Sequence, residues 1–66
     1  MKMWIARDRD MRLYVYRYEP FLDFGDWDSI GDCMQLPISA FPEVTFENSP
    51  QEVELKLVNN VGKETD

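Results

Sequence analysis

The sequence predicts a mainly β domain, an antiparallel sheet of about four short strands, approximately 2–7, 12–18, 33–36 and 52–58, with one helical turn near 38–41 that would make it a small α+β fold. Three observations predict it. Two runs rich in aromatic and β-branched residues flank a short polar segment between Met3 and Tyr18, the signature of a hairpin. Val53, Leu55 and Leu57 alternate with Glu52, Glu54 and Lys56 near the end of the chain. Glu43-Val44-Thr45-Phe46 is extended and alternating as well.

The hairpin organises the rest. Asp8-Arg9-Asp10-Met11 suits a type I turn, since aspartate accepts hydrogen bonds from backbone amides two residues on. Such a turn followed by one left-handed residue gives a three-residue loop with a bulge, and Met11 falls at the left-handed position. That geometry sets Asp8 opposite Arg12, Arg7 opposite Leu13, Ala6 opposite Tyr14, Ile5 opposite Val15 and Trp4 opposite Tyr16. Side chains alternate across a strand. Met3, Ile5, Leu13 and Val15 therefore share one face, with Arg7 and Arg17 at its ends, and Trp4, Ala6, Tyr14, Tyr16 and Tyr18 share the other. Both faces are largely apolar, so both are expected to be covered.

Glu19-Pro20 ends the second strand, because proline has no amide to donate. Residues 21–32 read as a loop, punctuated by two glycines and four aspartates. The loop also holds Phe21, Phe24, Trp27 and Ile30, which predicts a lid packed over the Trp4, Tyr14 and Tyr16 face with Trp27 as its anchor. Cys33-Met34-Gln35-Leu36 is a third strand ended by Pro37, with Cys33 expected to be a buried, inert thiol. Ile38–Phe41 is the helical turn, Glu43–Phe46 is extended, and Glu47–Pro50 is a turn. Residues 52–58 are expected beside the first hairpin. Residues 1–58 form the domain and 59–66 a flexible tail.

Net charge is −6 over 66 residues, unevenly placed. Residues 1–18 set five cations (Lys2, Arg7, Arg9, Arg12, Arg17) against Asp8 and Asp10, and residues 19–66 set two lysines against eleven acids. Mutual neutralisation on folding is one reading; a basic surface for nucleic acid, or an acidic face for a basic partner, are the others. A lone cysteine fits a reducing cytoplasm. The opening Met-Lys-Met-Trp has no apolar run after it of the kind a signal peptide needs, and no run approaches the roughly 20 apolar residues of a membrane span.

Chemistry is thinly represented. The chain has no histidine, so the usual neutral-pH base is missing and Cys33 has no imidazole partner. Asp23, Asp26, Asp28 and Asp32 fail the spacing of a calcium loop, since counting from Asp26 puts Ile30 fifth and Pro37 twelfth. No catalytic, metal-binding or cofactor-binding residue is expected, and no cofactor. The one constellation of interest is Trp4, Tyr14 and Tyr16 with Arg12 and Arg17, joined by Trp27. These are the candidate partner-binding residues, because aromatics beside arginines stack on bases and also anchor protein interfaces. The same residues are the obvious core of a small β protein, and core is the reading that the sequence favours.

The runs Trp4-Ile5-Ala6-Arg7-Asp8 and Leu13-Tyr14-Val15-Tyr16, with Pro20, Trp27, Leu36-Pro37, Phe41-Pro42-Glu43-Val44-Thr45 and Glu52-Val53-Glu54-Leu55, resemble a group of short uncharacterised proteins of gut bacteria and their phages and mobile elements. The resemblance spans residues 3–57. Members tend to carry glycine where this chain has Met11. The group has no assigned activity, so the resemblance implies neither a reaction nor site residues. The functional expectation is a small non-enzymatic accessory protein, monomer or weak homodimer, that binds another protein, away from membranes. A nucleic-acid-binding module using the basic hairpin is the alternative.

Overall fold

The computed structural model describes residues 1–56. These form a four-stranded antiparallel sheet and a separate two-stranded hairpin, with no helix among the described residues. The strands are β1 (Lys2–Arg7), β2 (Leu13–Tyr16), β3 (Phe21–Asp23), β4 (Asp26–Asp28), β5 (Cys33–Leu36) and β6 (Gln51–Glu54). The sheet order is β5-β2-β1-β6, and β3 pairs with β4.

The β1–β2 register is the one that the turn chemistry dictates, from Trp4 opposite Tyr16 to Arg7 opposite Leu13. The Asp8 amide donates to the Arg12 carbonyl at 2.8 Å and the Met11 amide to the Asp8 carbonyl at 3.0 Å. Met11 sits at φ +79°, and the Asp10 carboxylate accepts the Arg12 amide two residues on at 3.0 Å. β6 pairs beside β1 as expected, with Met3 opposite Val53, but the strand is Gln51–Glu54 instead of 52–58; residues 57 and 58, and the expected 59–66 tail, lie outside the described residues. β2 is Leu13–Tyr16, shorter than 12–18.

Topology explains the core. β5 and β6 are opposite edges, so residues 37–50 must cross above β2 and β1, a span of roughly three strand spacings, or about 14 Å. The crossing covers the face of Ile5 and Leu13, and Val44, near its middle, lands on both. Val15, Leu36, Ala40 and Val53 pack around that cluster. The segment crosses in turns, with Ala40 donating to Pro37 at 3.0 Å and Val44 to Phe41 at 2.9 Å. The helical turn expected at 38–41 is therefore a β-turn, and Glu43–Phe46 is not an extended strand. Phe41 at φ +50° is incompatible with a right-handed helical turn. Thr45–Pro50 closes on itself through reciprocal Thr45 and Asn48 bonds of 2.8 and 3.2 Å, and Ser49-Pro50 is cis.

An irregular segment laid over an apolar face strands its carbonyls, which demand donors. Arg7 supplies them. Its side chain is buried at 4% exposure, and all five guanidinium N–H bonds go to main-chain carbonyls. Nε donates to Val44, Nη1 to Met11 at 2.8 Å and Ile38 at 3.1 Å, and Nη2 to Ala40 at 2.9 Å and Phe41 at 3.0 Å. The planar fork suits this task, since one residue reaches two turns and a loop at once.

Two expectations are corrected on the other side of the sheet. Residues 21–32 are not a loop but carry the β3–β4 hairpin, closed by the two-residue turn Phe24-Gly25 at φ +52° and +87°. Cys33 is exposed, not buried, because β5 is an edge strand and nothing beyond it closes over the thiol. A Cβ at Gly31 would run into the Tyr18 ring, so a side chain there would have to displace that half-exposed ring.

Candidate functional site

The β3–β4 hairpin is tied to the aromatic face of the sheet at Tyr16 and to the first turn at Asp8. At its base Ser29 Oγ donates to the Tyr18 carbonyl at 3.3 Å. Further along, Trp27 is clamped through its main chain: its amide donates to Asp8 Oδ1 at 3.1 Å, and Tyr16 Oη donates to its carbonyl at 3.5 Å. Ala6 and Tyr16 are buried beneath. The Trp27 ring packs on Phe46 of the crossing segment, centroids 5.9 Å apart, so the anchor holds both layers together. Its Nε1 is buried with no partner.

Beyond Trp27 the hairpin leaves the body as a finger. Phe24 at the tip is fully exposed, and Leu22 is half-exposed on the same face of the hairpin as Trp27. Two local features oppose this arrangement. Phe24 occupies the left-handed region, which costs a residue with a Cβ roughly 1–2 kcal/mol. Asp23 and Asp26 stand directly opposite each other, a like-charge cross-strand pair that weakens the hairpin. Asparagine is the usual residue at the first position of such a turn. A large apolar ring held in solvent on a strained tip is therefore not explained by folding.

Beside the finger is a groove of about 360 Å³. Ile38, Pro42, Val44 and Phe46 give it apolar walls, and Arg7, Asp8, Arg9 and Glu47 contribute polar ones. The Arg9 guanidinium lies over the Phe46 ring, 4.6 Å from its centroid. A Cβ at Gly25 would lie 3.6 Å from Arg9 Nη1, so the fingertip and the groove are neighbours. Arg9 forms no salt bridge among the described residues, nor do Asp23 and Asp26; those that occur join Met1 to Glu54, Lys2 to Glu52 and Arg12 to Asp10.

Burial is the first cause that raises the Asp8 carboxyl above its ordinary value, and nearby Asp26 and Asp10 add to it; the Trp27 amide works against them. Burial also pushes the Tyr16 hydroxyl well up, with Asp8 next, so this phenol stays protonated as a donor. Neither group faces a nucleophile and base pair. No cluster of three or more metal-ligating side chains occurs among the described residues.

The sequence-predicted aromatic row is dispersed. Tyr16 is buried core, and Trp4 and Tyr14 are half-buried, with the Tyr14 and Tyr16 rings 6.2 Å apart. Arg12 is turned to Asp10 at 3.5 Å. Arg17 lines a separate small cavity with Met3, Val15, Asp32, Cys33 and Met34. Trp27 anchors the finger instead of contacting solvent broadly. The residues missed were Phe24, Arg9 and Phe46. A signal for the first was present: Gly25 follows Phe24 at the centre of Leu22-Asp23 and Asp26-Trp27, a two-residue turn between equal arms.

Fold and site together define a small all-β protein, a four-stranded sheet with a separate two-stranded hairpin. No family model, curated protein or solved structure matches the chain.

Proposed function

We propose that the protein is a small non-enzymatic binding protein that engages another protein through the β3–β4 finger. The observation that carries this is Phe24, fully exposed at φ +52° on a tip that a polar residue would form more stably. Aromatic residues are favoured anchors of protein interfaces, and local strain concentrates where a side chain must be presented. The finger segment, residues 19–32, carries five acids and no cation, and two of the acids, Asp23 and Asp26, flank the apolar tip. The nucleic-acid alternative is poorly served, because Arg7 spends its donors on carbonyls, Arg12 is paired, and Tyr16 is buried. The test is capture from the native cell lysate by the wild type and by Phe24→Ser in parallel, with nucleic acid monitored in the eluate. A protein retained by the wild type and lost by Phe24→Ser is expected. Equal capture by both, or an eluate of nucleic acid, would contradict the reading.

A further inference from the structure

We infer that the partner of the finger is a second copy of this chain, with Phe24 of each copy seated in the Arg9–Phe46 groove of the other. The inference rests on the finger being a contact element and adds what it contacts. Three observations carry it. The groove, about 360 Å³ with Ile38, Val44 and Phe46 in its walls, is roomy enough for one aromatic ring and is apolar where the ring would lie. Charge is complementary at one point: Arg9 at the groove and Asp23 and Asp26 flanking Phe24 are all without ion pairs among the described residues, although Asp8 and Glu47 also line the groove. The two elements also lie side by side, Gly25 of the tip against the Arg9 side chain. A two-fold interface requires that a patch be self-complementary, residue i meeting j and j meeting i across the axis. A finger next to its own receptor satisfies that within one small patch, and exchange closes the pair instead of extending it into a filament.

Seating Phe24 gives its ring the burial that it lacks in the single chain. It brings an arginine to the opposed Asp23 and Asp26, relieving the like-charge pair in the hairpin. In the single chain Phe24 is fully exposed, and Arg9, although it lies beside Gly25, forms no ion pair with Asp23 or Asp26. The contact is small, and the net charge of −6 opposes association at long range. A reversible dimer of modest affinity follows, as expected of interfaces at the low end of the size range.

The experiment places the photocrosslinking residue p-benzoylphenylalanine at position 24 of the full chain and irradiates it twice, once purified and once in native lysate. The purified protein is expected to give a covalent dimer, with the crosslink mapped to residues 38–47. Sedimentation velocity on the unlabelled protein should show a concentration-dependent dimer, weakened roughly thirtyfold by Phe24→Ser, as for loss of an anchor residue. Arg9→Asp should weaken it as well, and combining Arg9→Asp with Asp26→Arg should restore it. No covalent dimer, together with a crosslink to a different protein in lysate, would overturn the second-copy inference and leave the finger standing as a binding element. No crosslink in either sample would overturn both. A dimer that maps away from residues 38–47, or one indifferent to Phe24→Ser, would also overturn the inference.

Discussion

Replacing Arg7 with methionine keeps an unbranched stem, ends two atoms short of the terminal guanidinium nitrogens and removes all five donors. The carbonyls of Met11, Ile38, Ala40, Phe41 and Val44 then lose their partners together. The Val44 bond is fully buried, and the other four are partly buried, so water can reach part of what is lost. A stranded buried carbonyl costs about 1–3 kcal/mol, and a bond from a charged donor contributes about 1.5–3 kcal/mol net. Against this, methionine removes the cost of holding a cation in the interior with no carboxylate bonded to it. The balance is a loss of roughly 3–5 kcal/mol. A chain of 66 residues has on the order of 3–10 kcal/mol in all. The variant should melt at least about 12 °C lower, since each kcal/mol shifts a domain of this size by roughly 4–8 °C. Arg7→Lys should fare no better, because one ammonium cannot span donors set around a planar fork. Thermal and urea unfolding followed by circular dichroism measure this. An Arg7→Met melt within about 3 °C of the wild type would refute the claim that the guanidinium holds the crossing segment down.

Met11→Gly should raise the melting temperature by a few degrees, because glycine takes φ +79° without the Cβ penalty of roughly 1–2 kcal/mol, offset by roughly 0.5–1 kcal/mol of unfolded-chain entropy. A lowered melting temperature would show that the Met11 side chain, which lines the groove, contributes packing of its own. Asp8 has a folded pKa above the ordinary 3.8, so the folded state holds its proton more tightly than the unfolded chain does. Its contribution to stability is thus fully present below the ordinary value and is lost as pH rises through the raised one. Asp8→Asn keeps an oxygen for the Trp27 amide and should flatten that part of the pH dependence, read from melts in the window above pH 3.8. An unchanged profile would mean that another carboxyl carries it. Cys33, exposed on an edge strand, should react completely with a thiol reagent under native conditions, and protection until unfolding would contradict its placement.

The parts of this fold that were legible in the sequence are those where local chemistry alone decides. Asp8 and Asp10 fix the first turn, and the turn fixes every pair from Arg7–Leu13 to Trp4–Tyr16. Pro37 ends β5 where it was expected to end. Arg7 was not legible, because its partners are carbonyls, which every residue has and no composition reveals. Cys33 sat in an apolar run, but a run says nothing of whether a strand is central or at an edge. The finger was misread for a related reason. Phe21, Phe24 and Ile30 suggested a loop gaining order by burial, and the structure leaves all three exposed. Sequence places apolar residues inside on average, and an exposed one is the exception that geometry has to show.

Phe24→Asn is the variant that separates a folding role from a binding one, because the two readouts should move in opposite directions. Asparagine tolerates the left-handed position of this turn better than phenylalanine does, and the ring gives nothing to the core that would be missed. The melting temperature of a dilute sample should hold or rise by a few degrees, while capture through the finger is lost. A fall in melting temperature, or capture that survives the substitution, would contradict the claim that Phe24 is kept for contact at a cost to stability.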